Sequence, residues 1–171
     1  MNQDALNRLV QLFTLDDAAT AQRISERLAL VLRDPAAYQA QFAEELAERG
    51  IETELPAQEL RDIALIDALL SEDIAWESDW KDTAADMAEG LNEILARQNR
   101  SQRLQPRALV GRKDAGPEQL DTVQDALEPL GLALVLLTLD SDSYPLSIVA
   151  DEQAEVLRHA ARDLGFAVTV Y

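Results

Sequence analysis

The chain has 171 residues, 47% of them apolar and 27% charged, with 32 acids against 15 bases and a formal net charge of −17. That length suits one domain or two tightly joined halves, and the apolar share argues against global disorder. A field this negative repels nucleic acid and anionic membranes and favours basic partners, while the absence of cysteine excludes disulfides and thiolate zinc sites.

The first hundred residues read as helix after helix. Leu6, Leu9, Val10 and Phe13 recur at helical spacing, and Asp16 or Asp17 can cap the next helix, whose stripe is Ile24, Leu28, Val31 and Leu32. Asp34-Pro35 supplies a cap and a first-turn proline; Tyr38, Phe42 and Leu46 then line a third helix that Gly50 closes. Leu55-Pro56 opens a fourth, with Leu60, Ile63, Ala64 and Leu70 inward. Asp82 or Thr83 starts a fifth, carrying Met87, Leu91, Ile94 and Leu95. Acids flank every stripe, which predicts an irregular bundle with an anionic exterior over residues 1–98.

The pattern changes after a basic linker at 99–106. Arg107–Gly111 contains a short apolar run that reads as a strand. Pro117–Leu130 is a helix with Leu120, Val123 and Leu127 inward, stopped by Gly131. Residues 132–139 are almost continuously apolar and rich in β-formers, as in a strand buried on both faces. Asp140-Ser-Asp-Ser143 is a turn, Tyr144–Ala150 alternates as a second strand, and Asp151 caps a helix that Gly165 ends. Phe166–Tyr171 alternates as a final strand. The expected fold is therefore α+β: an acidic helical region over 1–98, packed on a 107–171 unit with a small, mostly antiparallel sheet of three or four strands.

Charge is segregated along this plan. Residues 41–93 hold sixteen acids and three bases, whereas 94–113 hold six bases and no acid. The bases Arg97, Arg100, Arg103 and Arg107 have near-helical spacing and no interleaved aromatic, unlike most nucleic-acid footprints, and read as a strap against the acidic bundle. The N-terminus has neither a basic start nor a continuous apolar core, and the longest apolar run is far shorter than the roughly 20 residues of a membrane helix. A cytoplasmic protein is expected.

Few residues offer chemistry. His159, the one histidine, sits mid-helix on a polar or boundary face. Asp140-x-Asp142 opens like a calcium loop, but Pro145 stands where that loop needs glycine, so a hairpin turn whose acids bond their own backbone is expected. One-turn carboxylate pairs such as Glu44/Glu48, Glu89/Glu93 and Asp82/Asp86 read as solvated faces, since carboxylate-bridged metal bundles also need Glu-x-x-His. No phosphate loop or nucleophile elbow occurs, and Val110–Gly116 has the wrong order for one. No catalytic, cofactor-binding or metal-ligating residue is assigned. The remaining signal is Trp76-Glu-Ser-Asp-Trp-Lys-Asp82, where Trp76 and Trp80 have the spacing of one helical face. Trp76, Glu77, Asp79, Trp80 and Asp82 form the candidate interaction surface, with Trp76 the more buried and Trp80 nearer water.

Asp79-Trp-Lys-Asp82, Leu139-Asp-Ser-Asp-Ser-Tyr144 with Pro-Leu-Ser-Ile-Val149, and Leu164-Gly-Phe-Ala-Val168 together resemble a bacterial family catalogued as a domain of unknown function. The resemblance covers most of the chain and implies a small soluble bacterial protein; it carries no site residues across. The expected function is a non-catalytic acidic module, inhibitor- or immunity-like by analogy, that binds a basic protein surface rather than nucleic acid or membrane. The alternative is a hydrolase-type enzyme with an Asp/Glu-based, divalent-metal-dependent site.

Overall fold

The computed structural model describes residues 1–110 and 117–171. Helix α1 (Gln3–Thr14) starts where the Asn2 side chain accepts from the Ala5 N–H, and α2 (Ala18–Arg33) where Asp17 accepts from Thr20. Asp34 caps α3 (Pro35–Gln41), and α4 (Ala43–Glu48) follows. The expected single third helix is thus two, broken at Phe42, whose φ −104 and ψ 23 leave the helical well. Next come α5 (Ala57–Ser71), strand β1 (Trp76–Asp79) and α6 (Ala84–Arg97). Thr83 and Asp86 close a reciprocal capping box at the start of α6.

The run after residue 106 is a short helix, α7 (Pro106–Leu109), because Pro106 fixes the first helical φ and Leu109 turns into the core; Gly111 lies outside the described residues. Trp76–Asp79 is a strand, so Trp76 and Trp80 do not share a helical face. Beyond the end of α5, Asp73 with a φ of 58 turns the chain, and the buried Ser147 hydroxyl donates to the Ile74 carbonyl at 2.6 Å, drawing the next residues onto the sheet. The region 1–98 is therefore helical except for β1.

The second half continues with α8 (Pro117–Leu127), β2 (Leu132–Leu137), β3 (Ser143–Ala150), α9 (Ala154–Leu164) and β4 (Val168–Val170). A 3-10 turn at Asp151–Gln153 precedes α9, and Gly165, with φ 81, ends it as expected. All three strand pairs are antiparallel, in the order β1-β3-β2-β4, with Trp76 opposite Leu146, Leu134 opposite Ile148 and Val135 opposite Val170. The fold is α+β.

The central strands are buried on successive residues, Leu132–Val135 and Pro145–Val149, which requires cover on both sheet faces. Helices α1 and α6 pack on β3, and α5 and α8 on β2. One hydrophobic core runs from Ala5 to Val170. Buried polar groups pin its seams: the Gln98 amide donates to the Phe13 carbonyl at 3.0 Å and to the Ile148 carbonyl at 3.3 Å, joining the ends of α1 and α6 to β3. Across 99–106, Asn92 donates to the Leu104 carbonyl and accepts its N–H, and Leu104 is buried. Among the described residues no helix is long and apolar enough to cross a membrane.

Candidate functional site: an acidic cleft along β1

Strand alternation divides the five candidate surface residues by task. Trp76 is half-buried and lies on α6 at Gly90: a Cβ built there would fall 2.1 Å from Trp76 Cδ2. Glu77, its strand neighbour, faces the other way, and its carboxylate meets Arg49 at 2.9 Å. Asp82 accepts from the Ser78 hydroxyl at 3.0 Å and the Asp79 N–H at 2.8 Å, while Asp79 accepts from the Lys81 N–H at 2.9 Å. These two acids therefore serve their own turn. That turn presents Trp80, 52% exposed, with its backbone N–H donating to the Asp142 carbonyl at 3.0 Å and the Lys81 ammonium 5.3 Å from its ring centre. The expected inequality of the two tryptophans holds, through a strand and a turn.

A cleft of about 480 Å³ opens between α4–α5, β1 and the loop from β2 to β3, the loop whose Asp142 carbonyl accepts the Trp80 N–H. Five of its lining residues are acids: Glu48, Glu59, Asp62, Glu77 and Asp140. Arg49 is the one cation among the described lining residues, and it is already taken. Its guanidinium holds Asp67 Oδ1 at 2.6 and 2.9 Å and Glu77 at 2.9 Å. Burial opposes the Arg49 charge, but these two carboxylates outweigh it and raise its pKa; for Asp67 burial wins over Arg49 and pushes the carboxyl up. Asp62 accepts from the Ala167 N–H at 2.9 Å and from Gln58, tying α5 to the approach to β4. Glu48, Glu59 and Asp140 form no ion pair among the described residues. Their field meets the aliphatic walls of Ile51, Leu55 and Ile63. A concave anionic site with aliphatic sides suits a long cationic side chain.

Of the chosen surface, only Glu77 lines the cleft, and the cleft itself is not legible from local pattern. The acid-rich stretch 41–93 is the signal that could have found it, but Asp140 joins only through the fold. The remaining candidates fall elsewhere. His159 is exposed on α9. In the β2–β3 turn it is Ser141 Oγ, rather than an aspartate, that accepts from the Ser143 N–H at 3.1 Å. The basic strap is carried by Arg97, which reaches Asp17 at 3.1 Å and Thr20 at 2.8 Å; Arg112, Lys113 and most of Val110–Gly116 lie outside the described residues. Among the described residues no three His, Asp or Glu side chains converge closely enough to hold a metal ion.

Residues 5–171 match the model of a family described as a domain of unknown function (DUF6630), and the chain belongs to that family. No curated protein and no solved structure matches it.

Proposed function

We propose that the protein is a non-catalytic binding module that takes a basic segment of a protein partner across Trp80 and the acidic cleft. The observation that carries this reading is the cleft's unbalanced charge: its one described cation is neutralised by Asp67 and Glu77, leaving Glu48, Glu59 and Asp140 to face solvent. Trp80, exposed on the turn whose backbone is bonded to the loop that lines the cleft, adds the large, rigid anchor typical of binding hot spots. An arginine or lysine entering the cleft lays its stem along Ile51, Leu55 and Ile63 while its head meets the free carboxylates. Masking of a basic surface on another protein, as inhibitors do, is the use this arrangement fits, by analogy. A reducing, cytoplasmic setting is part of the proposal, supported by the absence of cysteine.

Titration of a four-residue arginine peptide, followed by tryptophan fluorescence, tests it. A saturable change is expected, lost in Trp80→Phe, weakened in Asp140→Asn, and shrinking as salt rises, because rim charges act mainly through long-range attraction. An acidic peptide of equal length producing the same change would sink the proposal.

A further inference from the structure

We propose that the groove between α1, the α1–α2 turn and the start of α9 binds a small carboxylic acid with an apolar tail. The groove measures about 550 Å³ and shares no lining residue with the acidic cleft, so this inference stands independently of the binding face above.

The charge distribution is the first argument. Arg23, Arg27, Arg49, Arg97 and Arg158 each hold a carboxylate. Arg8 and Arg100 hold none among the described residues, as is also true of Arg33, Arg61, Arg103, Arg107 and Arg162; what sets these two apart is that they line one groove. Arg100 is the more constrained. Its Nε donates to Gln98 Oε1 at 2.8 Å, and its inner terminal nitrogen is covered by protein with no acceptor. Burial holds its pKa below the ordinary arginine value, as expected for a charge that has lost water without gaining a counter-ion. With Nε on Gln98 and one terminal nitrogen covered, the remaining terminal nitrogen is the contact left for an anion, which there supplies the missing counter-charge through a single charge-assisted hydrogen bond.

The walls decide what else the ligand carries. Leu12, Leu15 and Val156 line the groove beside the arginines, so the occupant needs hydrocarbon next to its charge, which disfavours a bare inorganic anion. Asp16 is the one acid in the lining, against two arginines, and it is exposed. Leu15 has φ 55 and ψ −116, a conformation a leucine keeps only when its surroundings hold it, here through its N–H bond to the Gln11 carbonyl at 2.8 Å. Backbone held in such a state concentrates at ligand sites.

The experiment titrates the full chain with octanoate, butyrate and inorganic phosphate at physiological ionic strength, followed by backbone amide NMR shifts. Octanoate should saturate with shifts centred on Leu15 and bind more tightly than butyrate, and butyrate more tightly than phosphate. Affinity for octanoate should fall at least about ten-fold in Arg100→Gln and in Arg8→Gln and stay unchanged in Arg33→Gln, as for loss of one charge-assisted contact. Arg8 is exposed, so Arg8→Gln decides the matter should Arg100→Gln fail to fold. No saturation by millimolar octanoate, equal affinity for phosphate and octanoate, or unchanged affinity in Arg8→Gln would overturn the proposal.

Discussion

Gly90 should be the most tightly specified small residue of this fold, and its partner is Trp76. Gly90 is buried inside α6, where alanine ordinarily stabilises a helix by about 1 kcal/mol relative to glycine. Here the added methyl would lie 2.1, 2.4 and 2.6 Å from three atoms of the Trp76 indole, against an ordinary contact of 3.4–4 Å, so the ring must retreat by more than an ångström. The ring belongs to β1, whose pairing with β3 leaves it little room to move. Overpacking of this kind costs about 3 kcal/mol, the upper part of its usual range. Set against the helix gain, Gly90→Ala should destabilise by about 2 kcal/mol. Trp76→Ala should cost about 3 kcal/mol, the low end for a core aromatic because the ring is half-exposed. The sign is the decisive point: with Trp76 already alanine, Gly90→Ala should instead stabilise by about 1 kcal/mol. Urea unfolding of the four proteins, monitored by far-UV circular dichroism, closes the cycle with a coupling of about 3 kcal/mol. A Gly90→Ala protein as stable as its parent, or one equally destabilised in both backgrounds, refutes the packing argument.

Other perturbations probe the turn, the sheet and the caps. Trp80→Ala should change stability by less than about 1 kcal/mol, since the ring is 52% exposed, yet abolish the fluorescence response to a basic peptide; iodide should quench Trp80 and spare Trp76. Removing Phe166–Tyr171 strips β4 from β2 and uncovers an apolar strand edge, so the truncated chain should be insoluble or lose cooperative melting; a soluble variant with the parent's melt counts against this. The Thr20 hydroxyl and N–H, then Arg97, hold the Asp17 carboxyl down at about 2, below its ordinary 3.8. A depressed carboxylate stabilises the fold above its unfolded value and loses that contribution as pH falls through the folded one. The gap in urea midpoint between the parent and Asp17→Asn should therefore be full above pH 4 and close towards pH 2, and a constant gap would show that the charge plays no part. Gln98→Leu leaves the Phe13 and Ile148 carbonyls without their buried donor and should cost about 2–3 kcal/mol in the same unfolding assay.

What the sequence determined by itself is what depends on near neighbours. The stripes of α1, α2, α5 and α6 repeat at a spacing that only a helix puts on one side, and Asp34, with one of Asp16 or Asp17 and one of Asp82 or Thr83, offers the acceptor a first turn needs; the structure uses Asp17 and Thr83. The apolar run at 132–139 reads as a strand buried on both faces, and β2 takes Leu132–Leu137 of it. What only the tertiary structure decided is what depends on distant partners. Trp76–Asp79 is four residues long, too short for period two to prevail over the one-turn spacing of its tryptophans; pairing with Ser143–Leu146 made it a strand. The strand expected at Arg107–Gly111 failed for a local reason instead: Pro106, plain in the sequence, favours the first position of a helix, and Pro106–Leu109 is one. The acidic cleft draws Glu48, Glu77 and Asp140 from three separate segments, and the counter-ions that spare or consume each carboxylate are likewise remote in sequence. Burial and Coulomb attraction act through space, so the charge that remains free for a partner is fixed only once the chain has closed on itself.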